Sequence, residues 1–65
     1  MKTINVYPEP HQYKEAALFV INHVEPGGSL EMHQETSPPW ISATVANPEV
    51  IIAELQRTGV RHTVT

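Results

Sequence analysis

The sequence predicts a small two-layer α+β fold, in which an antiparallel sheet of about four strands is covered by one or two helices. Segments that alternate between apolar and polar residues, at 3–7, 40–45 and 60–65, are typical of half-buried strands. Residues 48–58 carry apolar side chains at helical spacing, between a helix-start signal and a glycine stop. Because a chain of 65 residues supports one hydrophobic core, we expect a single domain over residues 1–65.

Side-chain alternation assigns an inward face to each predicted strand. The first strand ends at Pro8-Glu9-Pro10. A further alternating segment, 29–35, follows Glu25-Pro26-Gly27-Gly28, where proline at the second and glycine at the third position indicate a type II turn. We expect His62 to be partly buried and hydrogen-bonded near the edge of the sheet. The residues predicted to face the helices are Ile4, Val6, Ile41, Ala43, Val45, Val60, His62 and Val64.

The clearest helix follows Asn47-Pro48. Asn47 is a good N-cap, Pro48 suits the first helical position, and the Glu49 carboxylate complements the helix dipole. Arg57 lies in the last turn, and Gly59 is expected to terminate the helix at position C′. The apolar stripe comprises Val50, Ile51, Ile52 and Leu55.

Residues 11–24 are compatible with two structures. Apolar residues recur there at helical spacing, but residues 18–21 are apolar on all sides, and residues 18–24 could form a hairpin with 29–35. The helix version gives the ferredoxin-like order βαββαβ, towards which we lean, with 29–35 at one sheet edge and the first and last strands adjacent. The hairpin version gives a β-meander followed by a C-terminal helix and strand.

The charge distribution argues against nucleic-acid binding. The formal net charge is −3, and the seven acidic residues are all glutamates between Glu9 and Glu54, a span with Lys14 as its one cation. Four cations cannot build a groove that follows a phosphate backbone. An acidic surface instead suits a basic protein partner, or serves solubility.

The sequence also argues against a membrane protein and a secreted one. No apolar run approaches the ~20 residues of a membrane span. The first residues lack the charged-then-apolar build of a signal peptide. We therefore expect a cytoplasmic protein with no membrane partner.

No catalytic constellation is present in the sequence. The chain has no cysteine and no aspartate, its serines lie in no nucleophile elbow, and its four histidines do not follow zinc-finger spacing. Glu31, His33 and Glu35 project from one strand face, where an exposed polar edge is a simpler interpretation than a metal site. We expect a protein that is not an enzyme and carries no cofactor or metal.

The sheet face away from the helices is the predicted binding surface. It would carry Tyr7 and Trp40 among polar side chains, with Glu31 and Glu35 at one side and Arg61 at the other. A solvated face with cross-strand aromatic packing is the simpler interpretation of the same pattern. The candidate partner-binding residues are Glu31, Glu35, His33, Trp40, Tyr7 and Glu25, with Glu9, Glu15, Glu49 and Glu54 as further acidic candidates.

A short, cysteine-free, acidic chain of this kind resembles the small accessory proteins of phages and mobile elements, including anti-CRISPR and anti-restriction inhibitors. The resemblance implies that the protein binds and inhibits a basic nucleic-acid-handling complex without itself binding nucleic acid. The alternative is a dimeric small-molecule or metal-sensing module, with the ligand site lined by His33, Trp40 and Tyr7. A homodimer is expected in either case, since so small a core benefits from a partner.

Overall fold

The computed structural model describes residues 1–65 and contains four strands and two helices. The elements are β1 (Lys2–Tyr7), α1 (Tyr13–Asn22), β2 (Ser29–His33), β3 (Trp40–Val45), α2 (Glu49–Thr58) and β4 (Arg61–Val64). The strands form one antiparallel sheet in the order β2-β3-β1-β4. The predicted α+β class is confirmed. Of the two versions, βαββαβ is correct and the meander is wrong.

Residues 13–22 form a helix because that structure sorts their side chains onto two faces. Ala17 and Val20 are buried in the core against the sheet and Ala16 is buried beside the cavity facing α2, whereas Leu18 and Ile21 are exposed. The local run of apolar residues favoured a strand equally well. Burial of Ala17 and Val20 in the core decides for the helix.

The core fills the space between one sheet face and the two helices. No polar or charged residue is buried in it. Its contiguous cluster comprises Ile4, Val6, Ala17, Val20, Ile41, Ala43, Val45, Ile51, Leu55 and Val60. The inward face predicted for β1 and β3 is therefore correct. On β4, His62 is half-buried as expected and its Nδ1 donates to the Val60 carbonyl at 2.9 Å, while Val64 is 41% exposed at the sheet edge.

The start of α2 differs from the prediction. The helix begins at Glu49, Pro48 occupies the N-cap position, and no side chain caps the helix, so the prediction of Asn47 as N-cap is wrong. Pro48 is buried at φ −83° and ψ −6°, and its carbonyl accepts the first helical bond from the Ile52 N–H at 2.9 Å. The helix therefore starts one residue later than predicted, with the backbone of Pro48 in the N-cap role.

The end of α2 is a Schellman motif around Gly59. Gly59 has φ +73°, its N–H donates to the Gln56 carbonyl at 3.4 Å, and the Val60 N–H donates to the Leu55 carbonyl at 2.9 Å. The predicted glycine terminator is confirmed. The turn before β2 is also as predicted, with Gly27 at φ +93° and the Gly28 N–H donating to the Glu25 carbonyl at 2.9 Å.

Replacing Gly59 by Ala is expected to lower the free energy of unfolding by about 1 kcal/mol, because alanine disfavours the left-handed conformation. Nothing lies within 4 Å of a Cβ added there, so the cost is conformational and not steric. Thermal unfolding followed by circular dichroism should show a melting temperature about 4–8 °C lower. Gln56→Ala, at an exposed position of the same helix, is the control and should change stability by less than about 0.5 kcal/mol.

Candidate functional site

Four planar side chains form a row across the sheet face that is turned away from the helices. In the strand register, His33 of β2 lies opposite Trp40 of β3, and Tyr7 of β1 lies opposite Arg61 of β4. Since β3 and β1 are adjacent, the row is continuous across all four strands, a distance of about 14 Å. We call His33, Trp40, Tyr7 and Arg61 the planar row.

Side chains of the planar row stack on one another. The rings of His33 and Trp40 are 3.9 Å apart between centroids and inclined by 10°, and those of Trp40 and Tyr7 are 5.6 Å apart and inclined by 27°. The Arg61 guanidinium lies 5.9 Å from the Tyr7 ring centroid. His33 and Tyr7 therefore lie on opposite sides of the Trp40 indole. The row is a ridge of stacked side chains, in which both neighbours of Trp40 are side chains of the protein itself.

An acidic cluster surrounds the β2 end of the row. Nε2 of His33 lies 3.8 Å from Glu31, and its Nδ1 lies 3.4 Å from Glu35, beyond the end of β2. The Glu35 backbone N–H and, to a smaller extent, the His33 ring lower the pKa of the Glu35 carboxyl. Both glutamate side chains are exposed, at 75% and 72%, which leaves their carboxylates accessible to a partner. No group of three or more His, Cys, Asp or Glu side chains has the geometry to hold a metal ion.

The rest of the open face is polar and carries little charge. Thr3 and Thr44 share a hydrogen bond of 3.0 Å between their hydroxyls, and the Asn5 amide lies 3.5 Å from the Thr63 hydroxyl. Ser42 lies between Asn5 and Glu31 in the strand register. These groups cross-link neighbouring strands, and they leave the planar row and the acidic cluster as the distinctive features of the face.

Glu25 lies apart from the other five candidate residues. Its carboxylate accepts a hydrogen bond from the Ala46 N–H, just after β3 ends, whereas Trp40 begins that strand about 17 Å away. This backbone bond is the main cause of the lowered pKa of the Glu25 carboxyl. Glu25 therefore fastens the turn before β2 to the end of β3.

The acidic residues do not form one continuous patch. Glu15 and Glu54 border a cavity of about 290 Å³ between α1 and α2, on the opposite side of the sheet from the planar row. Glu54 accepts hydrogen bonds from Arg57, which lower the pKa of its carboxyl. None of the six main candidate residues (Tyr7, Glu25, Glu31, His33, Glu35 and Trp40) lines this cavity. The acidic surface available on the open face consists of Glu31 and Glu35.

Arg61 completes the row, although it was not among the candidate residues. Strand alternation placed its side chain on the open face, but nothing in the sequence indicated that it would stack on Tyr7. That contact depends on the pairing of β1 with β4, in which Tyr7 lies opposite Arg61.

The fold and the open face define a small α+β protein of ferredoxin-like strand order with an aromatic ridge on its uncovered sheet face. Comparisons with protein-family models, curated proteins and solved structures find no significant match to this chain. Neither helix has the length and apolarity that crossing a membrane requires.

Proposed function

We propose that this protein is a non-catalytic, cytoplasmic binding protein whose planar row and acidic cluster dock onto another protein. The observation that carries the proposal is the stack of His33, Trp40 and Tyr7, which holds large side chains rigid and partly exposed in the middle of an uncovered face. Side chains already fixed in place lose little conformational entropy on binding.

The residue types in the row support a protein partner. Tryptophan, tyrosine and arginine are the residues that most often dominate the binding energy of protein interfaces. The ridge also argues for a protein over a nucleic acid, because bases that stack on an aromatic platform need an uncovered ring face. The stacking of His33 and Tyr7 on opposite sides of Trp40 argues in the same way against the ligand-sensing alternative.

The acidic cluster supports a basic partner. Glu31 and Glu35 extend from one end of the row, with the oppositely charged Arg61 at the other end. A protein that handles nucleic acid offers a basic surface of this kind, and a bound acidic protein would compete with its nucleic acid. Inhibition by occlusion, as in the anti-CRISPR and anti-restriction proteins, is therefore the biological role that we propose.

Reversing both charges of the acidic cluster, with Glu31→Lys and Glu35→Lys, is expected to weaken partner binding at least tenfold and to reduce its salt dependence. Tagged wild-type and variant proteins are used to capture partners from host lysate at low and high salt, and the captured proteins are identified by mass. The matched control is Glu15→Lys with Glu49→Lys, which makes the same charge change at exposed positions of the helices.

The proposal is supported if one specific protein is captured by the wild type and by the helix control but not by the variant with Glu31→Lys and Glu35→Lys. Addition of its nucleic acid should displace the retained protein. Equal loss with both charge variants would mean that net charge, and not the open face, drives capture. Retention by the cluster variant at unchanged affinity would contradict the role of Glu31 and Glu35.

A further inference from the structure

Strand β2 is an open edge of the sheet. It pairs only with β3, so a row of its backbone N–H and C=O groups has no partner strand within the chain. We propose that β2 pairs antiparallel with β2 of a second copy of this chain, which joins two sheets into one continuous sheet. This dimer does not depend on the proposed protein partner.

Charge complementarity selects the register of this pairing. In an antiparallel pair centred on Met32, Glu31 of each copy lies opposite His33 of the other. An imidazole N–H donates to a carboxylate whether the ring is neutral or charged, so the symmetric dimer contains two such pairs. Centring the pair on Glu31 would instead place two carboxylates opposite each other, which is unfavourable.

An apolar surface flanks the same edge on the helix side. Ala16 and Phe19 of α1 line the cavity facing α2. Leu18 comes two residues after Ala16, and Ile21 two residues after Phe19, and two residues correspond to a rotation of about 200° around the helix axis. Leu18 and Ile21 therefore point away from α2, with 52% and 42% exposure.

The placement of the helices directs this surface towards β2. Helix α1 packs on β3, next to β2, whereas α2 packs against β4 at the other end of the sheet. Pairing of β2 strands brings Leu18 and Ile21 of both copies together above the junction, over Met32, which is itself partly exposed. Burial of these side chains supplements a strand pair that is too short to hold a dimer alone.

Sedimentation velocity of the purified full chain, from about 1 μM to about 1 mM, tests the proposal. Wild type should pass from monomer to dimer in this range. Leu18→Glu or Ile21→Glu should leave a folded monomer, whereas Val50→Glu, a control on α2 with 54% exposure, should still dimerise. Circular dichroism establishes that each variant is folded.

Substitutions of Glu31 and His33 test the proposed register of the β2 pair. Glu31→Gln should raise the dimer dissociation constant about tenfold, because symmetry removes both pairs, and His33→Glu should prevent dimerisation. The exchange Glu31→His with His33→Glu should restore it. In the register centred on Glu31, by contrast, Glu31→Gln would strengthen the dimer.

Three outcomes would overturn the proposal. The first is a wild type that stays monomeric over the whole concentration range. The second is a dimer that is lost with Val50→Glu but kept with Leu18→Glu. The third is the formation of open-ended polymers, which would indicate pairing of β2 with β4. Failure of the dimer leaves partner capture unaffected, because a monomeric Leu18→Glu variant keeps the planar row and the acidic cluster.

Discussion

Replacing Leu55 by Ala is expected to abolish the cooperative thermal unfolding of this protein. Leu55 is 1% exposed in the core cluster, and truncation of a buried leucine to alanine costs about 2–5 kcal/mol. A core of this size rarely provides more than about 3–5 kcal/mol of net stability, so the variant retains little or none. Far-ultraviolet circular dichroism during heating measures the effect.

Val50→Ala is the matched control for Leu55→Ala. Val50 lies on the same helix but is 54% exposed, so its truncation should change the free energy of unfolding by less than about 0.5 kcal/mol. A Leu55→Ala protein that still unfolds cooperatively, within about 5 °C of wild type, would contradict the packing described between α2 and the sheet.

Replacing Trp40 by Ala is expected to reduce partner binding about 30-fold or more. Trp40 is the middle of the planar row, and its removal separates His33 from Tyr7 as well as deleting the largest side chain of the ridge. Central aromatic residues of this kind commonly cost 2 kcal/mol or more, about 30-fold, when truncated. Once a partner has been captured, titration calorimetry with the purified pair measures the loss.

Two further variants separate binding from stability. Trp40→Phe keeps a ring between His33 and Tyr7 and should retain most of the affinity. Arg61→Ala removes the exposed side chain at one end of the row, so it should weaken partner binding. It should change the free energy of unfolding by less than about 0.5 kcal/mol. Unchanged affinity in a folded Trp40→Ala protein would show that the partner binds elsewhere.

Trp40 also provides a direct spectroscopic report, because it is the only tryptophan in the chain. Its indole stacks on His33 at 3.9 Å, so His33→Gln should change the emission intensity without unfolding the protein. This measurement tests the geometry of the row before any partner is known.

Strand alternation and helix punctuation in the sequence determined most of the fold. The boundaries of β3 agree with the structure, Gly59 ends α2, and the inward residues of β1 and β3 form the core. These features depend on neighbouring residues, since side-chain period and left-handed glycine conformations are local properties of the chain. The open-face positions of Tyr7, Glu31, His33 and Trp40 follow from the same period.

Tertiary structure decided what local pattern could not. Burial of one face against the sheet made residues 13–22 a helix, and α2 begins at Glu49 with Pro48, not Asn47, at its N-cap position. Strand pairing stacked His33, Trp40 and Tyr7 face to face and placed Arg61 at the end of the row.

The tertiary structure also separated the other glutamates from Glu31 and Glu35, which side-chain alternation had already placed on the open face. All seven glutamates lie between Glu9 and Glu54 in the sequence. Residues close in sequence can still lie on opposite faces of a sheet or at opposite ends of a strand. Glu31 and Glu35 therefore meet at His33, while Glu25 lies at the far end of β3 and Glu15 and Glu54 lie on the helix side. The sequence determined which side chains are available, and the order and register of the strands determined which of them act together.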